Sequence, residues 1–102
     1  MIKHILTIGL NDKDTKQQKY DIVTCYKMVE TTLKKYVDGY TIYQAQGYYK
    51  HENGDFVSEN SLRVELLFTR ETIVKKIAKE IKIILNQESI VYEKQTTNSN
   101  LI

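Results

Sequence analysis

Few side chains in this 102-residue sequence are suited to acid–base, nucleophilic or metal chemistry. The histidines are His4 and His51, and the single cysteine is Cys25. Catalytic and metal sites usually combine several histidines, cysteines or carboxylates at set spacings, and the chain has neither Cys-x-x-Cys nor His-x-x-x-His. The sequence therefore predicts no catalytic residue, no metal and no cofactor, and it predicts that the protein is not an enzyme. A small enzyme whose site is completed at a subunit interface is an alternative.

The acidic stretch at residues 11–14 offers alternating carboxylates, and a calcium loop is the chemistry to test. An EF-hand loop needs glycine at its sixth position and glutamate at its twelfth. Counted from Asp12, those positions are Gln17 and Val23, so the pattern fails. We expect a solvated loop in which Asp14 or Thr15 forms a local turn. No phosphate-binding loop is indicated either, because the glycines are scattered at Gly9, Gly39, Gly47 and Gly54.

The charge balance is nearly even, with 15 basic and 13 acidic residues and a net charge of +2. Lys75, Lys79 and Lys82 share one side of a predicted helix, but Glu71 and Glu80 lie among them and support ordinary i,i+4 pairing. We expect no nucleic-acid partner. No apolar run approaches the length of a membrane span, which predicts no membrane association. One cysteine allows no internal disulfide, and we expect the cytoplasm of a bacterial host cell.

Hydrophobic periodicity predicts six elements in the order strand, helix, strand, strand, helix, strand. Residues 2–10, 40–50, 56–68 and 89–95 have strand patterns, and residues 20–37 and 69–86 repeat apolar side chains at steps of three and four. This order is the βαββαβ motif of the ferredoxin-like α+β fold, a four-stranded antiparallel sheet with both helices on one face. We expect a single domain at residues 1–95 and a flexible C-terminal tail at 96–102.

Three local signals predict how the elements begin and end. Gly39 suits a left-handed cap after the first helix, and Thr69 suits the N-cap of the second. Asn53-Gly54 predicts a two-residue type I′ hairpin turn, which requires positive φ at both residues.

A sheet with helices on one face leaves the other face open to solvent or a partner. The strand alternation predicts that Leu6, Ile8, Leu62, Val64, Leu66 and Phe68 face the helices, together with Tyr43, Ala45 and Gly47 of the second strand. The opposite face is then a mixed apolar and polar surface that we expect to be an interface with a second copy or a partner protein. The candidate interface residues are Ile5, Ile42, Gln44, Gln46, Tyr48, Arg63, Glu65 and Leu67. A lightly apolar face exposed to water is the alternative.

The stretch QAQGYYKHENGDFVSEN at residues 44–60 has the composition of a long hairpin. Adjacent strand residues point to opposite faces, so Tyr48 and Tyr49 cannot form one stacking platform. We expect His51 and Asn53 to be exposed at the hairpin end. The hairpin either turns back without a further role or reaches beyond the sheet to a partner.

The segments TIGLNDKD (Thr7 to Asp14), DGYTIYQAQGYYKHENG (Asp38 to Gly54) and SLRVELLF (Ser61 to Phe68) resemble a group of short uncharacterised proteins. That group comes from phages and mobile elements of low-GC Gram-positive bacteria. The resemblance implies a phage-encoded protein that acts by binding, for instance by inhibiting a host defence system. It implies no catalytic residue.

Residues and resemblance together predict a non-enzymatic binding protein that self-associates through its sheet and engages a host or phage protein. One alternative is an oligomer that binds or sequesters a small ligand or nucleotide. The other alternative is the small enzyme with an interface site.

Overall fold

The computed structural model describes residues 1–50 and 53–102, and the predicted exposure of His51 lies outside these ranges. The elements in chain order are β1 (Ile2–Gly9), α1 (Ile22–Tyr36), β2 (Thr41–Lys50), β3 (Phe56–Leu66), α2 (Glu71–Ile84) and β4 (Val91–Thr96). The strands form one antiparallel sheet in the order β2-β3-β1-β4. The predicted ferredoxin-like α+β fold is confirmed.

The hydrophobic core lies between one sheet face and the two helices. Strands β1 and β3 supply a buried apolar row because their even-numbered residues alternate toward the helices. The helices supply the opposite layer through residues spaced three and four apart. The fully buried side chains of the core include Leu6, Ile8, Val29, Leu33, Leu62, Val64, Leu66, Val74, Ile77 and Ile81.

Phe68 is the exception to the predicted inward row. Strand β3 ends at Leu66, and Phe68 has a φ of 58° and a side chain that is 64% exposed. The chain turns here to enter α2, so the strand alternation no longer applies. A left-handed conformation is costly for an aromatic residue, which makes this a strained position.

Both predicted helix caps are wrong. Helix α1 ends at Val37 in an extended conformation, and Gly39 does not adopt a positive φ. Helix α2 has Arg70 at its N-cap, and the Thr69 hydroxyl instead donates to the carbonyl of Leu67. The turn at Phe68 shifts the helix start by one residue and directs the threonine away from it.

The N-cap of α1 is Asp21, whose carboxylate accepts a hydrogen bond from the Thr24 amide at 2.7 Å. This contact satisfies one of the free donors of the first helical turn. It also lowers the pKa of Asp21, because the hydrogen bonds from Thr24 favour the ionised carboxylate.

The β2–β3 hairpin is longer than the rest of the sheet. The two strands pair continuously from Thr41–Glu65 to Lys50–Phe56, whereas β1 pairs with β3 only as far as Ser61. Residues 46–50 and 53–60, here called the hairpin arm, therefore extend past the core. The arm contributes to an elongated molecule of 48 × 25 × 22 Å.

The predicted type I′ turn at Asn53-Gly54 is wrong, because Asn53 does not have the positive φ that this turn requires. Only Gly54 has a positive φ in the described part of the β2–β3 loop, at 94°. The Asn53 side chain accepts a hydrogen bond from the Asp55 amide at 3.0 Å, which is the contact of an Asx turn.

The register of β2 reverses the predicted faces of that strand. Residues directly opposite one another share a face, and Ile42 pairs with the buried Val64 while Tyr43 pairs with Arg63. Ile42, Gln44, Gln46 and Tyr48 thus lie on the helix side, and Tyr43, Ala45 and Gly47 lie on the open face. Apolar and aromatic residues occur on both faces of β2, so its sequence does not fix its register, and a shift of one residue exchanges the faces.

Residues beyond β4 remain close to the start of the chain. Strand β4 includes Thr96, and the Thr97 amide donates to the carbonyl of Met1 at 2.9 Å. None of the helices formed by the described residues combines the length and apolar character needed to cross a membrane.

Candidate functional site

The open sheet face carries a connected polar network that crosses all four strands. The Tyr43 hydroxyl donates to Glu65 Oε2 at 2.8 Å and accepts from Arg63 Nε at 3.2 Å. Arg63 Nη1 donates to the Thr7 hydroxyl at 2.9 Å. Lys3 and Glu93 extend the network through ion pairs, at 3.4 Å to Glu65 and 3.8 Å to Arg63. We call these six side chains, Lys3, Thr7, Tyr43, Arg63, Glu65 and Glu93, the open-face network.

Glu65 is held in its ionised form by this arrangement. The hydrogen bond from Tyr43 is the largest influence that lowers its pKa, and Lys3 and Arg63 act in the same direction. The site therefore contains a fixed carboxylate at neutral pH, with a tyrosine hydroxyl and a guanidinium oriented against it.

Ile5 lies beneath the network and is only 3% exposed. Its cross-strand partners on this face are Glu65 and Glu93, and it is separate from the core between sheet and helices. Long charged side chains can cover an apolar residue with their aliphatic parts while their charged ends stay in water. The centre of the open face is thus polar at its surface, and this surface differs from the mixed apolar patch predicted from sequence.

The structure separates the eight predicted interface residues. Ile5, Arg63 and Glu65 lie together on the open face, and Leu67 follows the end of β3. The remaining four are on the helix side of β2: Ile42, Gln44, Gln46 and Tyr48. The prediction that all eight share one face is wrong, while a role for any of them in an interface stays a prediction.

Tyr43 is the functional candidate that the sequence reasoning missed, because it was placed toward the helices. The strand register alone brings its hydroxyl to Arg63 and Glu65. Tyr43 and Tyr49 lie on the same face of β2, a strand whose sequence shows no apolar alternation. These two tyrosines could have indicated a functional face, but only the register of β2 against β3 shows which face that is.

Two clefts lie at opposite ends of the open face. The larger, of about 720 Å³, is at the end where β1 begins and β3 stops, and Lys3 and Glu65 of the network line it. Its other walls include Tyr36, Tyr40, Phe68, Arg70 and Ser99. The smaller, of about 340 Å³, is at the arm end, where Thr7 of the network lines it. The network therefore connects the two clefts.

The smaller cleft has a floor of residues with little or no side chain, namely Gly9, Gly47 and Ser61. Tyr49 and Val91 line it as well, and Lys13 and Lys16 reach it from the β1–α1 loop. Gly47 allows a ligand to approach the backbone closely, whereas the Glu59 carboxylate already occupies the space over Gly9, and a tyrosine ring offers a stacking surface. These features suit a flat ring, and the charge around it is mixed, because Asp12, Glu59 and Glu88 line the same cleft.

The root of the hairpin arm is bonded to the β1–α1 loop. Glu59 Oε2 accepts from the Asn11 amide at 2.9 Å, and the Asn60 side chain donates to Gln18 at 2.9 Å. The Glu59 carboxylate crosses directly over Gly9, where an added Cβ would lie 2.7 Å from Oε2. The absence of a side chain at position 9 is thus what leaves room for this contact.

Asp12 organises the β1–α1 loop, and Thr15 forms the predicted local turn, because its hydroxyl accepts a hydrogen bond from the Gln17 amide at 3.3 Å. Asp12 is 6% exposed, and its Oδ1 accepts hydrogen bonds from the amides of Asp14 at 2.8 Å and Thr15 at 3.1 Å. Its Oδ2 accepts from the Asn86 side chain at 2.9 Å, and this bond is the largest cause of its lowered pKa. The loop carboxylates are therefore engaged in structure. Within residues 1–50 and 53–102, no cluster of histidine, cysteine and carboxylate groups suited to a metal ion is found.

The remaining residues with chemical potential lie away from the open face. His4 is 4% exposed on the helix side of β1, where its Nδ1 hydrogen-bonds the Tyr92 hydroxyl. Cys25 is 1% exposed in α1, and burial raises the pKa of its thiol. Neither is joined to the open-face network.

Solved structures of the same fold include an enzyme. A phage S-adenosylmethionine lyase in complex with S-methyl-5'-thioadenosine is 23% identical, with a TM-score of 0.68, over 92% of this chain and 79% of that chain. CutA from Pyrococcus horikoshii is 18% identical, with a TM-score of 0.60, over 99% and 87%. GlnK of B. subtilis, solved with ATP, is 12% identical, with a TM-score of 0.56, over 93% and 84%. No protein-family model and no curated protein matches the chain.

These identities are all below 25%, so the likeness is one of fold. The phage lyase agrees with the expected phage-related ferredoxin-like protein, at the level of fold. The expectation that the protein is not an enzyme is contradicted, because a lyase is among the structures most like it. That expectation rested on the scarcity of histidine and cysteine, and the open-face network shows that carboxylate, tyrosine and arginine groups can assemble without them.

Proposed function

We propose that the protein is a small phage enzyme that acts on an S-adenosyl sulfonium compound, bound on the open face of a homo-oligomer. The observation that carries this proposal is the Tyr43 hydroxyl fixed between the ionised Glu65 and Arg63. Support for the ligand class comes from two structural neighbours, the lyase with S-methyl-5'-thioadenosine and GlnK with ATP, both of which hold adenosine compounds.

We expect the two carboxylates of the network to hold a cationic sulfonium centre in exchange for their present partners, Lys3 and Arg63. Glu65 and Glu93 supply two carboxylates, and the tyrosine ring offers its electron-rich face to a cation. The amino-acid part of such a ligand carries a carboxylate and an ammonium group, for which Arg63 and Glu93 are matching partners. We expect the adenine ring to lie over Gly47, on the Tyr49 side of the smaller cleft.

A lyase step on this compound breaks the bond between sulfur and the amino-acid chain while the ligand's own carboxylate oxygen bonds to the released carbon to give a lactone, and the electron pair of the broken bond stays on sulfur to give a neutral thioether. The positive charge on sulfur falls during that step, so the carboxylates contribute to binding more than to rate. The rate acceleration must then come from holding the amino-acid part of the ligand in position, which hydrogen bonds from Tyr43 and Arg63 can do.

A second candidate is the binding of an anionic adenine nucleotide such as ATP without turnover. Lys13 and Lys16 at the smaller cleft are the observation that favours it, because they can neutralise phosphate charge, while Asp12, Glu59 and Glu88 of the same cleft act against it. The two candidates place the base in the same cleft and differ in the charge of the rest of the ligand.

The test is incubation of the purified protein with S-adenosylmethionine and detection of S-methyl-5'-thioadenosine by liquid chromatography and mass spectrometry. We expect the product with wild-type protein, and at least a tenfold loss of kcat/KM in both Tyr43→Phe and Glu65→Gln, about the effect of one lost positioning contact. Tyr48→Phe is the matched control, because its hydroxyl bonds Gln46 on the other sheet face.

Thermal unfolding with S-adenosylmethionine, S-methyl-5'-thioadenosine and ATP separates the candidates. A ligand that binds the folded state raises the unfolding temperature. Stabilisation by ATP alone, with no thioether released, would favour the nucleotide-binding candidate. The absence of both turnover and stabilisation by any of the three would refute adenosine recognition altogether.

A further inference from the structure

The outer edge of β2 is an unprotected strand edge. β2 is the first strand of the sheet order, so in the described residues only β3 pairs with it. Its ten residues pair with β3 without interruption, and no bulge bends the edge away from a neighbour. Eight of the ten residues are exposed, and the helices leave both faces of the strand largely uncovered.

Natural proteins usually blunt such an edge with proline, charge, a bulge or short length. The chain contains no proline, and β2 carries no charge from Thr41 to Tyr49. The opposite edge, β4, shows the protection that β2 lacks: it has six residues and carries Glu93 and Lys94. The contrast within one sheet singles out β2.

We propose that the outer edge of β2 pairs with a strand edge of a second copy of this chain, so that the sheet continues across the interface. The occupant is a second copy because every copy presents two strand edges, β2 and β4, and association of identical chains into closed assemblies is the common case. An uncharged strand also allows this approach without like-charge repulsion in any register.

Side chains of the hairpin arm would enlarge the contact. Tyr48 is 67% exposed and Phe56 is 74% exposed, and both lie on the helix side of the arm beyond the helices. Tyr43 and Gly47 lie on the open face of the same strand, so a second copy at this edge would border the smaller cleft and the open-face network. This inference rests on the oligomer in the proposed function and names its surface.

The test is the mass in solution of wild type and of the double variant Gln44→Lys/Gln46→Lys, measured by light scattering. Both glutamines are exposed on the helix side of β2. Charged side chains on an exposed edge, lysine above all, oppose pairing with another strand, whichever edge of the second copy approaches. We expect wild type to be an oligomer and the variant to be a monomer of 12.0 kDa.

The control adds the same charge elsewhere, as Thr72→Lys/Asn98→Lys, two exposed residues outside β2. It should keep the wild-type mass, and circular dichroism should show all variants folded.

A monomeric wild type, or a lysine variant that keeps the wild-type mass, would overturn it. Failure of the proposed function can be distinguished from failure of the edge contact. The function is tested by thioether release and by thermal stabilisation with ligands, whereas the edge contact is tested by the mass in solution. An oligomer that lacks turnover would leave the edge contact standing.

Discussion

Replacing Ile5 by alanine tests whether flexible charged side chains alone cover the centre of the open face. The substitution removes three carbon groups from a side chain that is 3% exposed. At about 0.8 kcal/mol for each buried methylene-sized group, the lost burial is worth about 2 kcal/mol. We expect little additional cavity cost, because the stems of Lys3, Arg63 and Glu65 can move into the space.

Ile8→Ala is the matched comparison in the same strand. Ile8 is fully buried between sheet and helices, where packed neighbours relax only partly. The loss of burial is the same, and the cavity adds to it, so we expect about 3–4 kcal/mol. Both substitutions lower the strand propensity equally, so that contribution cancels in the comparison.

Urea denaturation at constant m value measures both losses. Ile5→Ala should be clearly milder than Ile8→Ala. An equal or larger loss of unfolding free energy for Ile5→Ala would refute the idea that only flexible side chains cover Ile5. It would indicate that a rigid surface, such as another subunit, packs on the open face.

Phe68→Gly should be more stable than Phe68→Ala by about 0.5–1 kcal/mol, because both lose the partly buried ring and only glycine relieves the left-handed strain, about 1–2 kcal/mol, at its own entropy cost; equal melting temperatures would contradict this. Asp12→Asn should be less stable than wild type at neutral pH. Because the Asn86 bond lowers the folded pKa of Asp12 below its ordinary 3.8, the difference should shrink as pH falls from 3.8 through the folded value; a pH-independent difference in urea titrations would argue against it. Cys25, buried in α1, should resist thiol reagents until denaturant is added, as followed by mass spectrometry, and full labelling of the native protein would show that the helix opens readily.

The fold could be predicted from the sequence because four of its elements have unambiguous periods. Residues of β1 and β3 alternate cleanly, and the apolar stripes of α1 and α2 recur at helical spacing. Strand β2 could not be oriented in this way, since Ile42, Tyr43 and Tyr48 put large side chains on both faces. Its faces follow from pairing with β3, which is a non-local property.

The open-face network was beyond sequence reasoning for the same reason. Its members come from positions 3, 7, 43, 63, 65 and 93, and no local spacing relates them. Arg63 and Glu65 were predicted to lie on this face, but their partner Tyr43 depends on the β2 register. The N-cap of α2 was predicted wrongly for a local reason, because no typical turn residue marks the left-handed turn at Phe68.

Hydrogen bonds at the root of the hairpin arm connect the arm to the β1–α1 loop, so a displacement of the arm would act on that loop. Glu59 and Asn60 hold that loop through Asn11 and Gln18, and the loop supplies Lys13 and Lys16 to the smaller cleft. A force applied at the far end of the arm acts on the same few hydrogen bonds that position the cleft wall. We expect a contact on residues 46–50 or 53–60 to change amide exchange in the loop, without any ligand present.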